Sequence, residues 1–197
     1  MERNLEPDRF AFNRDKWIES CGGLRGLSEF TMDKFIPRFD TPGGFPEKKS
    51  LYIHGPTGTG KTHLATAIAL EYSKNPQDMI VVKPSFIFRD LRHSKDALEE
   101  LTTLRYYTTR KILVIDDLGV SKDTDFSFQT LYEIIDGRYM NYSGGLVVTS
   151  NLSLNDLGAK LGDDRIPSRL MQMCKMIKLS GKDHRLGPQT ENKNVDK

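Results

Sequence analysis

From about residue 46 onward, short apolar runs alternate with longer stretches in which apolar and charged positions are mixed. The runs at 51–54, 80–83, 112–116, 146–150 and 176–179 are short and rich in β-branched residues, which predicts five buried strands. The stretches 61–74, 85–105, 125–140, 154–160 and 166–173 carry spaced apolar positions and predict helices. Strands of this kind alternating with helices imply an α/β fold, with a mostly parallel five-stranded sheet covered on both faces. Ahead of them, residues 1–45 mix charge with scattered aromatics at Phe10, Phe12, Trp17, Phe30, Phe35 and Phe39. Such aromatics anchor a segment on a neighbouring core, so 1–45 is expected to be an arm packed on a domain at 46–185, with a role in partner binding open to it. Turn-rich stretches at 21–27 and 41–46 punctuate the arm, and the polar residues 186–197, with Gly187 and Pro188, read as a disordered tail.

Composition narrows the class without naming it. A chain of 197 residues suits one α/β domain, and a net charge of +2 is too small to argue nucleic-acid binding from charge alone. The two cysteines, Cys21 and Cys174, lie far apart and form no metal-ligand spacing. The charged start lacks the apolar core of a signal peptide, and no apolar run reaches the length of a membrane span. A reduced cytoplasmic protein with no membrane role is expected.

The stretch Gly55-Pro56-Thr57-Gly58-Thr59-Gly60-Lys61-Thr62 fits G-x-x-x-x-G-K-[ST], the phosphate-binding loop of P-loop NTPases. It lies between a predicted strand and a predicted helix that opens with His63. A chance glycine-rich turn would match on the order of once in a hundred chains of this length. A helix starting directly after glycines directs backbone N–H groups and a positive dipole end at one point, which suits a polyphosphate. The expected occupant is ATP with Mg²⁺, Lys61 reaching the β- and γ-phosphates and the Thr62 hydroxyl holding the metal.

Two further strand ends carry polar chemistry. The run 112–115 ends in Asp116 and Asp117, and charge there is costly unless it is used. Ligands of α/β sheets bind beyond the carboxyl ends of the strands. Asp116 is therefore expected to hold Mg²⁺ as in a Walker B motif, and Asp117 to orient or deprotonate water; a solvated Asp-Asp-Leu-Gly turn is the plainer alternative. The run 146–150 ends in Asn151, a candidate sensor of the γ-phosphate, although strands commonly end in Asn or Ser.

The ordered set GPTGTGKT, ILVIDDLG, LVVTSNLS and DRIPSRL resembles the AAA+ ATPases of the DnaC/DnaI helicase-loader and IstB transposition-helper group, over roughly residues 25–185. The resemblance implies a three-layer P-loop (ASCE) fold, with the helical lid absent or truncated because little chain follows Arg169. It implies that Arg169 is an arginine finger for ATP held by a neighbouring subunit, with Arg165 a weaker candidate, so that copies associate through them. Two exposed arginines paired with Asp163 and Asp164 are the alternative. Arg185 would fill the sensor II position. Asp117 stands where many AAA+ ATPases carry Glu, which suggests slow or partner-stimulated hydrolysis. A DNA-contacting element is expected near 88–95, where Arg89, Arg92 and Lys95 recur every three residues and Leu91, Leu98 and Leu101 form an opposite, core-facing stripe. Arg105–Lys111 adds basic and aromatic residues, and Arg138-Tyr139 is a recurrent family position open to packing or subunit contact. The implied function is an ATP-dependent helicase loader that engages single-stranded DNA and a replicative helicase. A transposition helper on duplex DNA, serving a transposase, and a nucleotide-gated interaction module with little turnover are the alternatives.

Overall fold

The computed structural model describes residues 50–73, 78–119, 124–141 and 144–181. The expectations placed on the arm at 1–45, on the tail at 186–197 and on Arg185 lie outside the described residues. The elements run β1 (Ser50–His54), α1 (Lys61–Tyr72), β2 (Met79–Val82), α2 (Pro84–Arg92), α3 (Ala97–Thr109), β3 (Ile112–Leu118), α4 (Asp125–Asn141), β4 (Gly145–Ser150), α5 (Leu154–Leu161), α6 (Arg165–Met173) and β5 (Lys175–Lys178). The five strands form one sheet in the order β2-β3-β4-β1-β5, and every pairing is parallel. The chain leaves β1 for the far edge at β2 and returns through β4 to finish at β5, so loops diverge at the carboxyl end of β1 and leave a crevice there.

Period-two alternation divides the strand residues between two cores. Leu51, Ile53, Ile112, Val114 and Val147 pack with Leu64, Ala65, Ile68 and Ala69 of α1 on one face. Tyr52, Leu113, Ile115, Leu146 and Val148 pack with residues of α2 through α6 on the other, among them Ile87, Tyr107, Leu131, Ile134, Leu157 and Leu170. Burial on both faces is why β3 and β4 read as unbroken apolar runs rather than as alternating ones.

The single helix expected over 85–105 is two helices, because an N-cap interrupts it. The Asp96 carboxylate accepts from the Glu99 backbone N–H at 2.8 Å, and the Lys95 N–H donates to the Glu99 carboxylate at 2.8 Å. These capping bonds start α3 afresh in a new direction. Leu91 is buried, but Leu98 is 69% and Leu101 45% exposed, so the expected core-facing stripe does not extend into α3. Lys95 lies in the turn and shares no helical face with Arg89 and Arg92 of α2.

Arg138 of α4 resolves the open question about its position: it is a packing residue, 2% exposed. Its Nη1 donates to the carbonyls of Tyr107 (3.1 Å), Thr108 (2.9 Å) and Arg110 (3.0 Å), and its Nη2 to that of Gly145 (2.7 Å). It therefore caps the carboxyl end of α3, where the helix leaves its carbonyls unbonded, and ties that end to the start of β4. Burial pulls its guanidinium down to about 10, so it stays charged at neutral pH. Replacement by Met would keep the aliphatic packing and leave four carbonyls short of a donor. Urea denaturation of Arg138→Met should show a loss of about 3 kcal/mol, reflecting several charge-assisted bonds and the desolvated acceptors they leave.

Candidate active site

The loop of residues 55–60 joins β1 to α1 at the carboxyl edge of the sheet. Its first residue is fixed from both sides. The Gly55 N–H donates to the Ser150 carbonyl at the end of β4 (3.2 Å), and the Leu179 N–H beyond β5 donates to the His54 carbonyl (2.7 Å). A Cβ at Gly55 would lie 2.1 Å from the Leu179 carbonyl oxygen, so only glycine fits. At the other end Gly60, at φ 86°, is the N-cap of α1 and brings no side-chain cap to the helix start, where the helix dipole favours an anion. Thr59 donates from its hydroxyl to the Pro56 carbonyl at 2.8 Å and stiffens the loop between. Pro56 and Thr57 stand exposed at the tip, and His63 is half-buried on the first turn of α1. Lys61 is 5% exposed, and its ammonium donates to the carbonyls of Gly55 (2.9 Å) and Pro56 (2.7 Å). The cation is thus held at the loop.

The loop and the acidic strand end are directly bonded. The Thr62 hydroxyl donates to Asp116 Oδ1 at 2.8 Å, and the Thr149 hydroxyl donates to the same oxygen at 2.7 Å. Asp116 is 4% exposed. Burial pushes its carboxyl above the usual range, a shift opposed by the Thr149 bond and reinforced by the charge of Asp117. A buried carboxylate raised in this way, with a threonine hydroxyl beside it, is an oxygen donor set suited to a hard divalent cation. The residues present therefore fit Mg²⁺, and Thr62 and Asp116 are the ones that would hold it.

Asp117 follows with φ 60°, the one non-glycine residue in the left-handed region among the described residues. Asp tolerates this conformation better than most residues. Its N–H donates to Thr149 Oγ1 at 2.9 Å, and its carboxylate lies 3.5 Å from the ammonium of Lys83, which follows β2 and is the N-cap residue of α2. Thr149 therefore serves both acids, accepting from one and donating to the other. Asn151 lies exposed one residue beyond β4, next to the Ser150 whose carbonyl anchors Gly55. Thr149 and Lys83 were not singled out from sequence. Every position of β4 is buried, so burial does not mark Thr149 out, and Lys83 reads as an ordinary charge following β2.

Arg165 and Arg169 lie elsewhere. They line a cavity of about 350 Å³ with Tyr132, Asp164 and Ser168, which shares no residue with the loop. Arg165 pairs with Asp163, as expected of the plainer alternative, but Arg169 pairs with Asp136 of α4. Of the residues expected near DNA, Arg89 lies over the ring of Phe86 and Arg92 over that of Phe126.

The profile of the IstB-like ATP binding protein family matches residues 44–192. The ATP-binding protein ascribed to insertion sequence IS5376 of Geobacillus stearothermophilus is 27% identical over 91% of this chain and 67% of its own length. The replicative helicase loader DnaI of Bacillus subtilis is 28% identical over 70% of this chain and 48% of its own. The chain thus spans about half to two thirds of the length of these two relatives. Among solved structures, the DnaC helicase loader superposes with a TM-score of 0.56 at 23% identity, covering 90% of this chain and 95% of that one. DnaI superposes with a TM-score of 0.57 at 24% identity, covering 90% and 88%.

Thr149→Val keeps the side-chain shape and deletes the shared hydroxyl. It strips Asp116 of a donor and the Asp117 N–H of its acceptor. Chemical denaturation should show a loss of about 2 kcal/mol, and Thr149→Ser should recover most of it.

Proposed function

Because the chain belongs to the IstB-like ATP-binding protein family and has the AAA+ fold of DnaC and DnaI, we propose that it is an ATPase that assembles with its own copies and delivers a replicative helicase to single-stranded DNA. The observation that carries the nucleotide chemistry is the direct bond between Thr62 of the phosphate loop and the buried Asp116. On binding triphosphate, Lys61 exchanges the carbonyls of Gly55 and Pro56 for the β- and γ-phosphates, while the N–H groups at the start of α1 take phosphate oxygens. Thr62 and Asp116 would hold Mg²⁺, which when bound would supply charge neutralisation at the transferring phosphoryl group. Asp117 orients the attacking water, and its left-handed backbone, bonded to Thr149, aims the carboxylate. Asn151, at the exposed end of β4, senses the γ-phosphate. Arg169 of a neighbouring copy stabilises the charge that develops on the phosphoryl oxygens. Arg89 and Arg92 are the cations of α2 offered to DNA phosphates, with Lys95 beside them in the turn.

A second reading has specific support. Relatives from insertion sequences, including those of Bacillus thuringiensis and Geobacillus stearothermophilus, favour a transposition helper that acts on duplex DNA with a transposase. Fluorescence anisotropy with labelled single-stranded and duplex oligonucleotides, each with ATP, ADP and a non-hydrolysable analogue, separates the two. ATP-dependent preference for single strands supports the loader, preference for duplex supports the helper, and no DNA binding in any state sinks both. Lys61→Ala should weaken ATP binding on the order of a hundredfold, the loss of about 2–3 kcal/mol in charge-assisted bonds. Asp117→Asn should retain binding and lose turnover; robust turnover in that variant would remove Asp117 from the reaction.

A further inference from the structure

The two arginines of α6 are four residues apart, yet their surroundings differ in a way that bears on their use. Arg165 is clasped by its neighbour: its Nε lies 3.1 Å and 3.0 Å from the two Asp163 oxygens, and its Nη2 lies 2.9 Å from Oδ2. The same guanidinium lies over the stacked rings of Phe128 and Tyr132, at 4.9 Å and 4.8 Å from their centroids. One edge and one face of Arg165 are therefore committed within its own chain.

Arg169 is held differently. Its Nε donates to Asp136 Oδ1 at 2.7 Å, and its guanidinium carbon lies 4.5 Å above the ring of Tyr139. Tyr139 is itself fixed, its hydroxyl donating to the side-chain carbonyl of Gln172 at 2.6 Å. Asp136 and Tyr139 lie on the same face of α4, and Gln172 follows Arg169 by three residues on α6, so the seat spans two packed helices. A guanidinium gripped at Nε and stacked on a fixed ring has its plane and direction set. Tyr132 is a further hydrogen-bond partner of the same guanidinium, whose terminal amino groups are the pair that matches phosphate oxygens. The cavity of about 350 Å³ beside Tyr132 and Ser168 is the space into which such a ligand would enter.

We propose that Asp136 is a positioning residue that orients Arg169, and not Arg165, toward the terminal phosphate of ATP bound by a second copy of this chain. This rests on the reading of the protein as an ATPase assembled between copies. An unheld arginine side chain would have to lose rotamer freedom in the transition state. One already ordered by Asp136 and Tyr139 has lost it beforehand, so the benefit falls on the chemical step rather than on binding.

Subunit mixing isolates the effect. At ATP concentrations well below its weakened affinity, a Lys61→Ala subunit stays empty but still offers its Arg169; an Arg169→Ala subunit holds ATP but offers no finger. Their mixture should hydrolyse ATP although neither does so alone. Asp136→Asn on the Lys61→Ala subunit should then lower kcat of the mixture about tenfold with KM unchanged, and Asp136→Glu there should recover most of the rate. Carried on the Arg169→Ala subunit instead, Asp136→Asn should add no further loss, since no finger remains to be positioned. Circular dichroism and sedimentation of each variant check folding and assembly. Failure of the mixture to hydrolyse, or absence of turnover in the unaltered protein at every concentration, overturns the trans-acting reading and this inference with it. Restored hydrolysis that Asp136→Asn leaves untouched, or lowers equally from either subunit, overturns the role of Asp136 alone.

Discussion

A carboxylate sealed at the end of an apolar strand sets the terms for the rest of this domain. β3 runs through the sheet as Ile-Leu-Val-Ile, and Asp116 follows while still shut away from water. An ionised group in that position is costly unless donors reach it. Here two do, and they come from different elements: Thr62 from the first turn of α1 and Thr149 from β4. The electrostatic demand of one residue thereby brings the phosphate loop and two adjacent strands to a common point. The same Thr149 receives the Asp117 N–H, so the second acid is set by the first.

The parts of this arrangement that depend on runs of residue type were legible in the chain. Five runs separated by helical spacing were enough for the parallel sheet, although β5, at the sheet edge, is largely exposed rather than buried as expected, and glycines before Lys61-Thr62 were enough for the loop. The break at residues 93–96 was missed because apolar spacing continues across it; the Asp-x-x-Glu signature at Asp96 and Glu99 was the local signal. Thr149 could not be told from an ordinary strand threonine, since its role exists only once β3 and β4 are paired. Lys83 is equally mute in sequence, because the acid it faces lies on the neighbouring strand.

The arginines show where spacing stops being informative. Four residues apart on a helix, Arg165 and Arg169 look equivalent in the sequence. Their difference comes from what α4 presents beneath them, Phe128 and Tyr132 under one and Asp136 and Tyr139 under the other. The nearest acids in the chain, Asp163 and Asp164, suggest the pairing of Arg165 but mislead for Arg169. Arg138 is the converse case: it is charged, yet it answers only to carbonyls in the interior, and its neighbour Tyr139 is the one that turns toward α6.

The base of the phosphate loop is built from main-chain atoms. Gly55 binds the Ser150 carbonyl through its amide, Leu179 binds the His54 carbonyl in the same way, and the close pass of Leu179 excludes any side chain at Gly55. Amides and carbonyls are common to every residue, so this foundation is indifferent to almost all substitutions around it. A lineage can drift far in the identity of its β1, β4 and β5 residues and keep the loop where it stands, provided that one glycine is never exchanged.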